Sequence, residues 1–161
     1  MHSDVFRKIM GNFPTGVTVV TTAVDGHFHG ITVNSFTSVS LEPPLVLICI
    51  DRRTVAHGQI ERASRFGVSF LDASQERTSR LFASSRPPEA GHLRGMAHRM
   101  GPHGSPILEG CLAWLECSVA DRFAGGDHTI FLASVLAGNV EHGGDPLVFF
   151  RGRYRQLADE P

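Results

Sequence analysis

Neutral hydrogen-bonding side chains are concentrated in one short stretch, Ile31 to Pro44, with the sequence ITVNSFTSVSLEPP. It gathers three serines and two threonines around one asparagine, directly before the apolar run LVLICI. Such groups donate and accept hydrogen bonds without burying a charge, which suits a planar heterocycle with several carbonyls and ring nitrogens. The stretch therefore predicts a binding site for a planar ring.

A second polar group follows LVLICI at a predicted helix start, in the order Asp51, Arg52, Arg53 and Thr54. The free N–H groups and dipole of a helix N-terminus, together with arginine, favour a phosphate. A ring site beside a phosphate site is what a nucleotide-like cofactor requires. An ordinary Ser/Thr-rich edge strand followed by an ordinary capped helix explains the same residues, so the residues alone leave both interpretations open.

Signatures of other catalytic chemistries are absent from the sequence. There is no G-x-S-x-G elbow, no G-x-x-x-x-G-K-[ST] loop and no G-x-G-x-x-G turn after a strand. Composition leaves Ser-His-Asp catalysis open, but no serine is placed beside a base. The three cysteines form no C-x-x-C pair and lie in apolar runs, which predicts buried thiols rather than disulfides or a zinc site: Cys49, Cys111 and Cys117.

The nine histidines do not form a recognisable set of metal ligands, because no H-E-x-x-H or comparable spacing accompanies them. No metal site is therefore predicted. His27 and His29 follow the turn dipeptide Asp25-Gly26, and we expect them at the exposed start of a strand.

Composition and charge narrow the class of protein. A chain of 161 residues with 42% hydrophobic and 19% charged residues predicts one domain over residues 1–161, with its core at about 13–155. The net charge of −1 and the scattered arginines argue against nucleic acid as a partner. No apolar window approaches roughly 18 residues, so neither a signal peptide nor a membrane span is predicted, and we expect a cytoplasmic protein.

Periodicity in the first half of the chain predicts the elements that position the polar residues. A short amphipathic helix behind Ser3 as its cap ends near Gly11. VTVVTTAV and HFHGITV form a hairpin through Asp25-Gly26. LVLICID and FGVSFLD are strands, separated by a helix capped by Thr54. The apolar side of the first helix is formed by Val5, Phe6, Ile9, Met10 and Phe13.

The second half continues with a helix after a capping box of Asp72 and Gln75, with Leu81 and Phe82 facing inward. Ser84 to Pro106 reads as a long irregular loop, rich in Arg, His, Gly and Pro. Long strands follow in ILEGCLAWLECSVADRF, HTIFLASVLAGNVEH and PLVFFRGRYRQL. Six or seven strands with two or three inserted helices favour a mostly β fold, an antiparallel barrel, over a doubly wound sheet.

Five motifs in the same order resemble the small flavin reductases: FPTGVTVVTT, ITVNSFTSVSLEPPLVLICID, the segment from Thr54 to Ile60, WLECSV and GGDHTIF. The similarity runs from about Phe13 to Tyr154. These proteins are the NAD(P)H-dependent reductase components of two-component flavin monooxygenases. The resemblance implies an FMN-binding split β-barrel of antiparallel Greek-key type, and a homodimer that holds FMN or FAD in a groove near the subunit interface.

The resemblance also implies where the flavin contacts the chain. Main-chain N–H groups of the first segment would reach O4 and N5 of the ring, and Pro43-Pro44 would end that segment before a plain core strand. The ring residues are Thr32, Asn34, Ser35, Phe36, Thr37, Ser38, Val39 and Ser40. The phosphate and ribityl residues are Asp51, Arg52, Arg53, Thr54 and His57, and a second loop over the phosphates has Phe82, Ala83 and Arg86.

His128, in GGDHTIF, matches the histidine that the family associates with the nicotinamide nucleotide, so the resemblance assigns it the catalytic role of orienting the hydride donor. Tyr154 would approach the same side. From the residues alone, a strand-start histidine bonded to a neighbouring carbonyl and a packed tyrosine explain these positions equally well.

The resemblance is weakest in the loop from Arg86 to His103, where the family's acidic and aromatic pattern is missing. FAD or FMN, and NADH or NADPH, therefore stay open, with FAD favoured by the arginines and histidines of this region. The first hypothesis is a reductase that supplies reduced flavin by diffusion to a separate monooxygenase. The alternative is a non-catalytic split-barrel carrier or sensor of flavin or haem. A relative of pyridoxamine-phosphate oxidase is disfavoured by VNSFTSVSLEPP.

Overall fold

The computed structural model of the chain describes residues 1–84, 86–87 and 89–157. Its elements, in chain order, are α1 (Ser3–Met10), β1 (Thr15–Gly16), β2 (Thr18–Val24), β3 (His27–Val33), β4 (Phe36–Leu41), β5 (Pro44–Asp51), α2 (Val55–Ala63), β6 (Arg65–Phe70), a short 3₁₀ helix (Ala73–Gln75), α3 (Glu76–Phe82), β7 (Glu89–Ala90), β8 (His98–Met100), β9 (Pro106–Leu108), β10 (Ala113–Gly125), β11 (His128–Val140), β12 (Val148–Phe150) and β13 (Arg153–Arg155).

Eight strands form one antiparallel sheet in the order β4-β5-β11-β10-β6-β2-β3-β7. In a small second sheet β12 lies between β1 and β13, and β8 pairs with β9. The predicted mostly β fold with inserted helices is confirmed. Within the described residues β4 and β7, at the two ends of the order, do not pair with each other, so this sheet is not a closed barrel.

Two tight turns set the register of the long strands. Asp25 and Gly26 both have positive φ, 51° and 75°, as a two-residue turn between twisted strands requires, and the predicted β2–β3 hairpin is confirmed. Gly126 and Asp127 form a second two-residue turn, between β10 and β11, in which Gly126 has the positive φ, 69°. His128 is therefore the first residue of β11.

α2 covers the main core, which lies on one face of the large sheet. Its Ala56 and Ile60 are buried among strand residues that include the fully buried Phe66 and Phe131. α3 covers a second apolar cluster through Phe82, which is 1% exposed.

Phe82 also fixes the distance between α3 and β3. A Cβ atom at Gly30 would lie 2.7 Å from the Phe82 ring, so only glycine leaves room for the ring at this point of β3. Thr32 on the same strand donates a hydrogen bond from Oγ1 to the carbonyl oxygen of Ser79 in α3, at 2.6 Å. These contacts hold the end of α3 beside the strand that leads into the polar stretch.

Two of the three predicted helix caps are confirmed. Thr54 caps α2, and Asp72 and Gln75 form both halves of the predicted capping box. The prediction that Ser3 caps α1 is wrong, because α1 begins at Ser3 and His2 stands at the cap position without a side-chain bond. Among the described residues, no helix is both long and apolar enough to cross a membrane.

The predicted irregular loop from Ser84 to Pro106 is wrong in part. It contains β7, which adds to the large sheet beside β3, and β8, which pairs with β9, while Leu93 is 1% exposed. PLVFFRGRYRQL is also not one long strand, since it forms β12 and β13. Six or seven strands were predicted, and the described part of the chain contains thirteen, because strands of two or three residues are too short to show a period in the sequence.

Side-chain burial corrects three further expectations. His29 is 6% exposed, rather than at an open strand start, because α3 packs against β3. Leu81 is half-buried whereas Phe82 faces inward as predicted. Cys111 and Cys117 are buried as predicted, and burial raises the pKa of the Cys117 thiol to about 12, but Cys49 is only half-buried.

Candidate functional site

One face of the β5–β11 strand pair is only half-buried. Along β5 the side chains of Val46, Ile48 and Ile50 enter the core, and the residues between them point the other way. Residues opposite each other in the register share a face. We call the half-buried side the outer face, and it consists of Leu47, Cys49 and Asp51 on β5 with Leu132, Ile130 and His128 opposite them on β11.

A groove of about 670 Å³ lies between this outer face and α1. Its volume is within the usual range for ligand pockets, about 300–1,000 Å³. The groove brings Asn34, Ser35, Phe36 and Thr37, four of the predicted ring residues, together with Leu47 and Cys49; the α1 side contributes Arg7, Met10 and Phe13. The prediction that LVLICI is a plain core strand is therefore wrong for every second residue.

Three hydroxyls of the polar stretch already have partners within the chain, and one of them is Thr37, which donates from Oγ1 to the carbonyl oxygen of Ser38 at 3.2 Å. Ser35 donates from Oγ to the carbonyl oxygen of Cys49 at 2.8 Å, and the Cys49 N–H donates to the Ser35 carbonyl at 3.2 Å. Thr32 donates to Ser79, as described above. These hydroxyls hold the backbone of the stretch in place, so a ring in the groove must find its donors elsewhere.

Such donors are present along β4, which is an edge strand. Among the described residues it pairs only with β5, and its register shifts between Ser38 and Ser40, which leaves Val39 outside the pairing. Ser38 and Val39 are exposed. The outward N–H and C=O groups of an edge strand are unpaired and can bind a ligand that lies alongside. Leu41 and Pro44 pair at the end of the β4–β5 hairpin, so Pro43 lies in the turn, whereas Pro44, which was expected before the core strand, is the first residue of β5.

The predicted phosphate residues surround the start of α2, but they differ in which of their hydrogen-bonding groups remain available to a ligand. Arg53 binds Asp51 through both guanidinium Nε and Nη2, at 3.1 and 2.7 Å. These hydrogen bonds hold the pKa of Asp51 well below its usual range and raise the pKa of Arg53. Thr54 is occupied as the cap, accepting from the N–H of His57 at 3.2 Å.

A small cavity of about 90 Å³ joins the start of α2 to the end of α3. It brings together four residues predicted from separate parts of the chain: Thr54, Phe82, Ala83 and Arg86. His29 also lines it, and burial, with a smaller contribution from nearby Arg94, lowers the pKa of His29 to about 4. A neutral imidazole therefore faces this cavity at neutral pH.

His128 stands at the end of the outer face, directly across the register from Asp51. Its Nδ1 lies 2.7 Å from Oδ1 of Asp127, and this hydrogen bond lowers the pKa of the Asp127 carboxyl. The imidazole side chain is 41% exposed. With Nδ1 held by Asp127, Nε2 is the nitrogen that is available to a ligand.

Tyr154 is not brought to the groove. It packs against Phe149 in the second core cluster, with 5.4 Å between ring centroids, and its hydroxyl lies 2.7 Å from Oγ of Ser79. The guanidinium of Arg80 lies 4.8 Å from the ring centroid. These contacts give Tyr154 a packing role within one chain.

The sequence matches the flavin reductase like domain over residues 10–158. This chain is a member of the flavin reductase family. The resemblance inferred from the five motifs is confirmed.

Curated relatives match nearly the whole of this chain, and they include flavin reductases. An NADH-dependent FAD reductase from Streptomyces globisporus is 42% identical over 156 residues, covering 96% of this chain and 85% of the relative. The reductase subunit of a flavin-dependent monooxygenase from Rhodococcus jostii (strain RHA1) is 39% identical over 155 residues, covering 96% and 78%.

A solved flavin reductase structure shows that the likeness extends to the backbone. The NADH:FAD oxidoreductase of Streptomyces globisporus C-1027, in complex with NAD and FAD fragments, superimposes with a TM-score of 0.89 at 40% identity. The match covers 97% of this chain and 93% of that chain.

Sequence reasoning missed several residues of the flavin reductase groove, among them Leu47, Cys49, Met10 and Phe13. All four are apolar, whereas the binding residues were predicted from polar side chains. LVLICI is apolar at every position and was predicted to be a plain core strand, so the sequence carries no signal for the alternation of half-buried and buried residues along β5. Thr129, discussed below, was missed because its role depends on a contact across two elements.

Proposed function

We propose that this protein is an NADH-dependent flavin reductase that reduces FAD and supplies the reduced flavin to a separate monooxygenase. One observation carries the proposal: the outer face connects the Asn34–Thr37 side of the groove to His128 without a break. A flavin ring on this face would place its edge against β4 and its reacting side toward His128.

The groove fits a flavin ring chemically. Leu47 and Cys49 in the groove, with Ile130 opposite Cys49 in the register, offer an apolar surface to one face of the ring, and the unpaired backbone of β4 offers hydrogen bonds to its polar edge. Donors aimed at O4 and N5 stabilise the negative charge that reduction places there. No charged side chain of β4 competes for these positions, because β4 carries none.

The remaining predicted residues are assigned by their position. The start of α2 and the cavity with Phe82, Ala83 and Arg86 would hold the ribityl and phosphate groups. His128 would bind the nicotinamide carboxamide through Nε2 and orient the ring. Hydride transfer from nicotinamide to flavin is the chemistry of the two nucleotides, and it depends on approach and facing rather than on a strong base.

FAD and NADH are the proposed pair because both occur in the names of the Streptomyces relatives. The partner is proposed from the Rhodococcus relative, which is a monooxygenase subunit. We further propose one domain over residues 1–161, a split barrel of antiparallel Greek-key type, and a cytoplasmic location, where NADH is available. The four residues after 157 lie outside the described structure.

The proposed activity is tested by following NADH oxidation with purified protein and added FAD. We expect oxidation that saturates in both substrates, with FAD preferred to FMN and NADH preferred to NADPH. Oxidation no faster than the protein-free rate with all four pairs would contradict the enzyme and favour the carrier alternative. Higher turnover with FMN or NADPH would correct only the choice of nucleotide.

We also propose a homodimer that covers α1. The apolar side of this amphipathic helix is open, since Val5, Phe6, Ile9 and Met10 are each about half exposed and Phe13 is 67% exposed. A continuous apolar stripe on a helix normally lies against another surface. Because α1 forms one wall of the groove, a partner on this stripe would lie close to the bound flavin.

Placing a carboxylate on the apolar stripe should break this dimer. We expect Phe6→Glu to be monomeric by sedimentation velocity at a concentration where wild type is dimeric, because the interface would bury an unpaired charge. Lys8→Glu puts a carboxylate on the polar side of the same helix and should leave the dimer intact. A dimeric Phe6→Glu variant, or a monomeric wild type, would refute the proposed interface.

A further inference from the structure

Thr129 connects two predicted phosphate-side residues that belong to different elements. Its side chain is buried, with the residue 7% exposed, on the core side of β11. Its Oγ1 lies 2.8 Å from Nε2 of His57 in the first turn of α2, and 3.3 Å from Nε of Arg52 in the β5–α2 connection. One hydroxyl therefore holds both side chains.

The direction of these two hydrogen bonds follows from what each group can do. The Nε–H of Arg52 can only donate, so Oγ1 of Thr129 accepts from it. Within the described part of the chain, Nε2 of His57 is the acceptor in reach of the Thr129 hydroxyl proton, and the carboxylate of Glu61, 4.0 Å from the same nitrogen, is beyond hydrogen-bond distance. His57 then accepts at Nε2 and carries its own proton on Nδ1.

The contact also determines which arginine is free to bind an anion. Arg53 uses Nε and Nη2 on Asp51, whereas Arg52 makes its one described side-chain hydrogen bond through Nε. Its backbone N–H donates to the carbonyl of Asp127 at 3.1 Å, which fixes the base of the side chain. The two terminal nitrogens of Arg52 keep their donors for a ligand in a defined orientation.

We propose that Thr129 is a positioning residue for the nucleotide phosphate: it orients the Arg52 guanidinium toward the phosphate and fixes the tautomer of His57. This inference rests on the proposed flavin reductase function, since the phosphate belongs to the bound flavin nucleotide. The ring of His57 also packs against Phe131, with 5.5 Å between ring centroids. The imidazole is therefore held by this packing as well as by its hydrogen bond to Thr129.

The test removes the hydroxyl and keeps the shape. Thr129→Val lacks both hydrogen bonds, and Thr129→Ser restores the hydroxyl. Thr22→Val is the matched control, because Thr22 is also a buried strand threonine but its Oγ1 has no partner within the described residues. Binding of FMN and of riboflavin, which differ by the phosphate alone, is measured by flavin fluorescence. Imidazole ¹⁵N NMR of each variant reports the His57 tautomer.

We expect wild type and Thr22→Val to bind FMN at least tenfold more tightly than riboflavin. Thr129→Val should lose about three- to tenfold in FMN affinity, which corresponds to the usual net contribution of one hydrogen bond, with riboflavin affinity unchanged. Thr129→Ser should restore FMN binding and the Nδ1–H form of His57, which Thr129→Val should lose.

Two results would overturn the proposal. If Thr129→Val keeps the wild-type preference for FMN, or loses FMN and riboflavin affinity equally, the hydroxyl is structural and this inference alone fails. If wild type itself binds FMN and riboflavin equally, the phosphate site of the proposed function fails, and the role of Thr129 fails with it.

Discussion

Replacing His128 with alanine is expected to lower kcat/KM for NADH by about 100-fold, while the affinity for flavin changes less than about threefold. His128 stands at the far end of the outer face from the Asn34–Thr37 side of the groove, so its loss removes no predicted contact to the flavin ring. What it removes is the group that orients the hydride donor. A misplaced nicotinamide still binds, but it seldom reaches the geometry in which transfer occurs.

The matched control for this experiment is His27→Ala. His27 begins β3 after a tight turn, as His128 begins β11, and its Nδ1 lies 3.0 Å from the carbonyl oxygen of Asp25. It is exposed and lies outside the groove, so its loss should leave NADH oxidation unchanged. Stopped-flow reduction of bound flavin by NADH measures the effect on turnover, and a fluorescence titration measures the effect on the affinity for flavin.

Equal losses in turnover and in flavin affinity would show that His128 is a general structural residue. No loss in either would remove it from the reaction and return the site to the carrier alternative. Asp127 offers a further comparison. Its Oδ1 lies 2.7 Å from Nδ1 of His128, and Asp127→Asn keeps a side chain of the same shape at this position. A small effect of Asp127→Asn beside a large effect of His128→Ala would assign the function to Nε2.

The fold was predictable where local chemistry decides it. Asp25-Gly26 specifies a two-residue turn, and Asp72 with Gln75 specifies a cap, so the β2–β3 hairpin and the start of the third helix followed from the sequence. β7 and β8 were not predictable, because two or three residues show no period and depend on a partner strand elsewhere in the chain. The burial of His29 had the same cause, since α3 covers it.

The candidate site was predictable in its members but not in its geometry. The motifs indicated Asn34 to Ser40 and His128, and the register of β5 with β11 explains how residues about 90 apart in sequence share one face. Three of the hydroxyls that pointed to a ring site, those of Thr32, Ser35 and Thr37, bind the chain's own carbonyls. A composition rich in serine and threonine cannot distinguish a hydroxyl that binds a ligand from one that supports the backbone beside it.

The outer face itself can be tested by filling it at Cys49. Cys49→Trp is expected to raise the Kd for FAD by about 100-fold, close to 3 kcal/mol, because the indole would occupy the space above Leu47 and Ile130 where the ring must lie. The side chain points into the groove and away from the core, so the variant should unfold within a few degrees of wild type. Flavin fluorescence and thermal unfolding measure the two effects.

Two controls show whether the effect is steric and local. Cys49→Ala should bind FAD within about twofold of wild type, because burial raises the pKa of this thiol, and a neutral thiol offers the ring a small apolar surface that a methyl group largely keeps. Val140→Trp puts the same indole on β11 at a position that is 73% exposed and away from the groove, and it should leave FAD binding unchanged. If Cys49→Trp binds FAD as wild type does, the ring lies elsewhere, and the outer face would then be a surface that the second subunit covers without the cofactor.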